Sequence, residues 1–101
     1  MIKHIVIWNL KEQAEGKTKA ENIVIMKQLL EDLKSKVPGV VNLEVGLKEV
    51  DSPANNDDII LVSEFKTWDD LDIYANHPEH LKVVEFVKKV VEKRSAVDYI
   101  F

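Results

Sequence analysis

The chain has 101 residues, of which 46% are hydrophobic and 32% are charged, and its formal net charge is −4 at pH 7. A chain of this length is expected to fold as one domain, residues 1–101, around one modest core. The lack of cysteine excludes disulfides, thiolate nucleophiles, iron–sulfur clusters and cysteine-based zinc sites.

The charge pattern and the N-terminus narrow the possible partners. Lysines are scattered among acidic residues, and there is no basic stripe interleaved with aromatic residues of the kind that binds nucleic acid. The opening MIKHIVIWNL alternates apolar with polar residues and leads into a charged segment, so it predicts neither a signal peptide nor a membrane span. We therefore expect a cytoplasmic protein that binds neither nucleic acid nor membranes.

The first predicted elements are a strand and a long helix. Ile2–Leu10 is rich in β-branched and aromatic residues, which predicts a strand, and large apolar side chains occupy both of its faces. From about Lys17 apolar residues recur at three and four positions, which predicts a helix. This helix ends at VPGV, because Pro38 cannot continue a helix and Gly39 permits a reversal of the chain.

Two strands, two helices and a last strand are predicted next. Residues 40–50 and 59–65 read as a strand pair joined by a long loop. Thr67 can cap the following helix. Pro78 ends that helix and opens another, which the apolar spacing extends through Arg94. The closing AVDYIF reads as a strand.

The element order is β-α-β-β-α-β, with the second helical layer split at Pro78. This order predicts an α+β, ferredoxin-like fold, in which a four-stranded antiparallel sheet carries its helices on one face. The helices can cover only that face, yet the first strand is apolar on both. A second copy of the sheet is the simplest cover, so we predict a homodimer, a dimeric α+β barrel, formed through the sheet faces.

The segment YANHPEH concentrates groups capable of chemistry. If Pro78 is the first helical residue, His77 is the cap and His80 lies in the first turn, where the helix dipole opposes protonation. A neutral His80 can act as a general base at pH 7, and the phenol of Tyr74, one turn before the break, can donate a hydrogen bond to a carbonyl oxygen. His4 enters the same space if its face of the strand points at the helices.

The same side chains also fit a purely structural role as a helix cap, a carbonyl partner and core packing. His77 and His80 are spaced to share a metal, but no third ligand is placed by the sequence, so we predict no metal site. No glycine-rich phosphate loop and no serine-hydrolase elbow occurs, and no cofactor is predicted.

Four stretches together resemble the stress-responsive A/B barrel domain (Dabb) family, namely IKHIVIWNLK, the PG after the first helix, YANHPEHLKVV and the closing VDY. The resemblance covers essentially the whole chain and implies a dimeric ferredoxin-like barrel. The motif is also similar to that of a plant polyketide cyclase, the olivetolic acid cyclase. That similarity implies that Tyr74 polarises a carbonyl and His80 acts as base. It further implies a cavity lined by His4, His77, Val6, Trp8, Met26, Leu30 and Leu61.

The expected function is binding of a small carbonyl-type molecule in a small apolar pocket of a homodimer. Cyclase- or lyase-like acid–base chemistry by Tyr74 and His80 is the leading hypothesis for that pocket. Two alternatives stay open: a non-catalytic stress-response or assembly protein in which the motif is structural, and a small oxygenase of related barrel architecture.

Overall fold

The chain folds into six strands and three helices, which the computed structural model describes over residues 1–101. In chain order they are β1 (Ile2–Leu10), β2 (Gln13–Ala14), β3 (Lys17–Thr18), α1 (Lys19–Lys36), β4 (Asn42–Leu47), β5 (Ile59–Phe65), α2 (Trp68–Asn76), α3 (Pro78–Val90) and β6 (Val91–Ile100). Four strands form one sheet in the order β4-β5-β1-β6, with every neighbouring pair antiparallel. The predicted α+β ferredoxin-like fold is confirmed, including the split between α2 and α3 at Pro78.

The helix starts follow the capping signals in the sequence. The Thr18 hydroxyl accepts a hydrogen bond from the Glu21 N–H at 3.3 Å, and the Glu21 carboxylate accepts one from the Thr18 N–H at 3.0 Å, which completes a capping box. The Thr67 hydroxyl likewise accepts from the Asp70 N–H at 3.1 Å and starts α2. Thus α1 begins two residues later than the apolar period suggested, because Lys17 and Thr18 belong to β3.

A small hairpin, β2–β3, precedes α1 and was not predicted. Its two-residue turn is Glu15-Gly16, and both residues have positive φ, 54° and 73°. Such a turn matches the right-handed twist of a hairpin and favours glycine. The turn signal was present as a single Gly16 in an otherwise charged stretch, too short to separate from a loop.

The structure corrects the boundary between the last helix and the last strand. The sequence pattern extended α3 to Arg94 and began the strand at Ala96, whereas α3 ends at Val90 and β6 begins at Val91. No residue between Val91 and Arg94 is a helix breaker, so local preference alone continues the helix. Pairing with β1 determines where α3 ends and β6 begins. β6 runs antiparallel to the whole of β1, from Ile100 opposite Ile2 to Val91 opposite Leu10.

The hydrophobic core lies between the sheet and the helices. On β1 the buried side chains are Ile2, Val6, Trp8 and Leu10, which alternate along the strand and face α1 and the other helices. Fully buried residues of α1 and β5, such as Met26 and Phe65, complete this layer. None of the three helices is long and apolar enough to cross a membrane.

The opposite side of the sheet, which we call the open sheet face, has no helix packed on it. The register places Ile5 between Val62 and Val97, and Ile7 opposite Ile60. Val97 is 59% exposed, and the other four residues are only partly buried. The apolar members of this face are Ile5, Ile7, Ile60, Val62, Val97 and Tyr99.

Candidate active site

A cavity of about 350 Å³ lies between the helix-facing side of the sheet and the helices α2 and α3. Its wall is mainly apolar, since 11 of the 15 residues that line it are hydrophobic. Seven residues proposed from the sequence are in this wall, namely His4, Val6, Trp8, Leu30, Leu61, Tyr74 and His80. The volume lies near the lower end of the range of small-molecule sites, about 300–1,000 Å³.

Tyr74 is the most deeply buried polar residue of the cavity. Its side chain points inward from α2 and is 1% exposed, and its hydroxyl has no hydrogen-bond partner in the chain. Its ring centroid lies 4.5 Å from that of His80 and 6.3 Å from that of His4. Burial raises the pKa of Tyr74 well above its ordinary value, so the phenol keeps its proton and can donate a hydrogen bond.

His80 is a neutral base whose free nitrogen is identified by its hydrogen bond. Its Nδ1 lies 2.9 Å from the carbonyl oxygen of Ala75, which can only accept, so Nδ1 carries the proton and Nε2 keeps its lone pair. Burial is the largest cause that lowers the pKa of His80 below its ordinary 6.5. The Ala75 contact opposes this shift, and unfavourable electrostatic interactions with His4, Arg94 and His77 add to it.

His4 reaches the same cavity from β1, because its face of the strand points at the helices. Its Nδ1 hydrogen-bonds the carboxylate of Asp98 on β6, directly opposite in the strand register. This contact orients the imidazole and leaves Nε2 without an assigned partner. Asp98 was missed as a site residue, because only the pairing of β1 with β6 brings it beside His4.

Two expected lining residues lie elsewhere, and the structure corrects them. His77 is the N-cap of α3, and its Nδ1 accepts a hydrogen bond from the Glu79 N–H at 3.1 Å instead of lining the cavity. Met26 is fully buried in the core and is not part of the cavity wall. The cap role follows from Pro78 at the first helical position, which directs the His77 side chain at the helix start.

Trp8 adds a second buried donor to the residues that line the cavity. Its side chain is in the cavity wall and 5% exposed, and its indole Nε1–H has no hydrogen-bond partner in the chain. Three buried side-chain atoms lack a partner, and two of them, on Trp8 and Tyr74, belong to residues of this cavity. A buried donor left unpaired costs about 1–3 kcal/mol, so a hydrogen-bond acceptor placed next to either group would be stabilising.

The remaining wall comes from residues that sequence reasoning did not select. Leu71 of α2 and Val83, Val84 and Val87 of α3 supply apolar surface, and Lys88 and Arg94 supply positive charge. The helical period identified these valines only as core. No group of three or more His, Asp or Glu side chains is placed to hold a metal ion.

The fold and the cavity together define a class, a ferredoxin-like α+β domain with a ligand-sized apolar cavity between its sheet and its helices. A model of the stress-responsive A/B barrel domain (Dabb) family matches residues 2–101, and the chain belongs to this family. The family resemblance read from the motifs is thereby confirmed. The further similarity to a plant polyketide cyclase stays a prediction.

Solved structures with the same fold include dimers and an enzyme. A dimeric protein of unknown function from Bacteroides fragilis is 35% identical, with a TM-score of 0.82 over 99% of this chain and 95% of that one. A dimeric protein of unknown function from Thermobifida fusca is 21% identical, with a TM-score of 0.83 over 99% and 90%. A hydroxynitrile lyase from Passiflora edulis is 19% identical, with a TM-score of 0.82 over 99% and 92%. The last two show likeness of fold alone, and no curated protein matches the chain.

Proposed function

We propose that this protein is a homodimer that binds a small carbonyl compound in the cavity and catalyses cyclase- or lyase-like acid–base chemistry on it. One observation carries the proposal. The unpartnered, buried hydroxyl of Tyr74 and the neutral imidazole of His80 share one apolar cavity, with their ring centroids 4.5 Å apart. A hydrogen-bond donor and a base in one apolar cavity are the two groups that enolate chemistry requires.

The proposed reaction assigns one step to each group. The Tyr74 hydroxyl donates a hydrogen bond to the carbonyl oxygen, and Nε2 of His80 removes a proton from the adjacent carbon, which leaves an enolate. The enolate carbon attacks a second carbonyl carbon and forms a carbon–carbon bond. The His80 imidazolium then returns the proton to the new alkoxide. A lyase-like reaction runs these steps in reverse. The hydroxynitrile lyase from Passiflora edulis shows that a protein of the same fold can act as a lyase.

A proton-exchange experiment tests this proposal directly. A small neutral ketone, 4-phenyl-2-butanone, is incubated with the protein in D₂O, and exchange of the protons next to the carbonyl is followed by NMR. We expect His80→Gln to slow exchange by about a hundredfold or more, because general-base catalysis is worth about 10²–10⁴. His77→Asn is the matched control, since asparagine keeps the cap of α3 and position 77 lies outside the cavity. Equal exchange rates in the wild type and His80→Gln would exclude His80 as the base.

The dimer is part of the proposal and uses the open sheet face. Apolar residues on two paired strands, such as Ile5 and Val62, form the centre of this face, and no helix of the same chain covers them. The dimeric proteins from Bacteroides fragilis and Thermobifida fusca support self-association. Light scattering at micromolar concentration should show a dimer that Val62→Asp dissociates. The control Val50→Asp, at a residue 96% exposed in a loop, should leave the dimer intact.

A second candidate is a non-catalytic protein in which the YANHPEH motif stabilises the helix corner. It is favoured by two contacts, the cap that His77 makes on α3 and the hydrogen bond from His80 to Ala75. Thermal unfolding separates the two candidates. If His80 has a structural role, His80→Gln should lower the free energy of unfolding by several kcal/mol. A near-neutral effect on stability with loss of proton exchange favours the site.

A further inference from the structure

The wall of the cavity carries two cations at its solvent-exposed side. Arg94 lies on β6 opposite Trp8 in the strand register, and Lys88 lies on α3. Both residues line the same cavity as Tyr74 and His80, yet both are exposed, whereas Tyr74 and Trp8 are buried. The cavity is therefore polarised along its length, with uncharged donors inside and positive charge outside.

Neither cation forms a close ion pair with another residue of the chain. Arg94 takes part in no ion pair, and Lys88 has only Glu85 at 4.0 Å, the limit of an ion pair. The carboxylate of Asp98, on the same face of β6, is already held by His4. In a chain of net charge −4, an unpaired guanidinium at a cavity mouth is a local exception to the overall field.

We propose that the ligand of this cavity is a compact carboxylic acid with an apolar body, whose carboxylate is bound by Arg94 at the mouth. If the proposed function holds, the substrate class is a small apolar oxo acid, with its carbonyl at Tyr74 and His80. A guanidinium binds a carboxylate through two parallel N–H···O bonds, a geometry that an ammonium cannot reproduce. The ammonium group of Lys88 adds electrostatic attraction for the carboxylate but cannot form the two parallel hydrogen bonds.

The arrangement also fits the cost of burying charge. A carboxylate is expensive to transfer into an apolar cavity, so it stays at the hydrated mouth while the apolar body enters. At about 350 Å³ the cavity suits a compact body of one ring or a short chain.

A matched pair of probes tests the charge of the ligand. The acid 4-oxo-4-phenylbutanoate and its amide 4-oxo-4-phenylbutanamide differ in charge but have the same apolar ketone body. Calorimetry at low salt should show that the acid binds about tenfold or more tightly than the amide. Arg94→Gln should weaken binding of the acid by about that factor and leave binding of the amide unchanged.

Three further variants separate Arg94 from a general charge effect. Arg94→Lys keeps the charge and should recover only part of the affinity, because the paired hydrogen bonds are lost. Lys88→Gln should weaken the acid less than Arg94→Gln does. Lys89→Gln removes the same charge at the next position, which does not line the cavity, and should have no effect.

The outcomes distinguish this inference from the proposed function. Equal binding of acid and amide, equal effects of Arg94→Gln and Lys89→Gln, or no binding of either probe would overturn the carboxylate site. Proton exchange of the neutral ketone tests His80 independently of Arg94. Exchange that persists in Lys89→Gln and is lost in His80→Gln would therefore keep the proposed function even if the carboxylate inference failed.

Discussion

The interior holds two buried polar clusters. The polar groups of one are hydrogen-bonded within the chain, and those of the other are not. At the end of β1, Asp58 is 6% exposed, and its carboxylate accepts hydrogen bonds from the Leu10 N–H at 2.8 Å and from Nζ of Lys19 at 3.2 Å. The Asp58 N–H in turn donates to the Trp8 carbonyl oxygen at 3.0 Å. In the cavity, by contrast, the Tyr74 hydroxyl and the Trp8 indole N–H are buried without partners.

The difference separates buried polar groups that are hydrogen-bonded within the fold from buried polar groups that have no partner in the chain. Burial by itself lowers the pKa of Lys19, but its acceptors Asp58 and Glu12 outweigh burial and raise the pKa above 10.5, which is the mark of a satisfied ion pair. In the cavity no such compensation exists for Tyr74, so burial alone raises its pKa. Unsatisfied buried groups persist where a function requires them, at a cost to stability.

The largest effect is expected at Asp58. Asp58→Ala should lower the free energy of unfolding by about 3 kcal/mol, because it leaves the Leu10 N–H unpaired and removes the buried partner of Lys19. The neighbouring Asp57→Ala, at an exposed position, should change stability by less than about 0.5 kcal/mol. Denaturant unfolding measures both variants. Equal losses in the two would mean that the Asp58 cluster does not hold the end of β1.

A smaller effect on the free energy of unfolding, opposite in sign to that of Asp58→Ala, is expected for Tyr74→Phe. Tyr74→Phe removes an unpaired buried hydroxyl and should leave the protein as stable as the wild type, or more stable by about 1 kcal/mol. The same variant should slow proton exchange of the ketone. Tyr99→Phe, on the open sheet face, is the control for loss of a phenol elsewhere. A clear loss of stability in Tyr74→Phe would show that the hydroxyl is paired, and the contrast with Asp58 would fail.

The third prediction concerns pH and His80. Its pKa is lowered in the folded state, so at mildly acidic pH the unfolded chain binds more protons and the protein loses stability as pH falls below about 6.5. This contribution is fully present above that pH. His80→Gln should remove it, so the difference in stability between variant and wild type should shrink or reverse on acidification. Parallel pH profiles for the two proteins would contradict the assignment.

The smallest effect is expected from Arg94 on His80. The charge of Arg94 contributes to lowering the pKa of His80, so an NMR titration of Arg94→Gln should place that pKa nearer its ordinary 6.5 than in the wild type. Lys89→Gln is again the control, because it removes one positive charge, as Arg94→Gln does, at a position that does not line the cavity. An unchanged His80 titration would show that the guanidinium does not face the cavity.

Local signals in the sequence were enough for most of the fold. β5 was predicted at its observed bounds, because its β-branched residues stand between a loop and a helix cap. The break at Pro78 was equally local, since proline ends one helix and opens the next. The β2–β3 hairpin and the end of α3 were missed. The hairpin was missed because Gly16 is its one local signal, and the end of α3 was missed because pairing with β1, outside the segment, decides it.

The residues of the candidate site also fall into two groups, those predicted from local spacing and those placed only by strand pairing. Tyr74 and His80 were found from their spacing around Pro78, because one helix corner brings them together. Asp98 and Arg94 were not found, since only the antiparallel register of β6 on β1 puts them beside His4 and Trp8. His77 and Met26 were expected in the cavity and lie outside it, because capping and core packing direct their side chains elsewhere.

The sequence by itself determined the order of elements, the helix corner and an apolar surface on both sides of β1. These features depend on hydrophobic period, capping residues and proline, all of which act within a few residues of the chain. The tertiary structure alone decided that two donors and a base share one cavity and that a free guanidinium stands at its mouth. Such contacts join residues distant in sequence, and strand register, which local preference does not encode, places their side chains on one face.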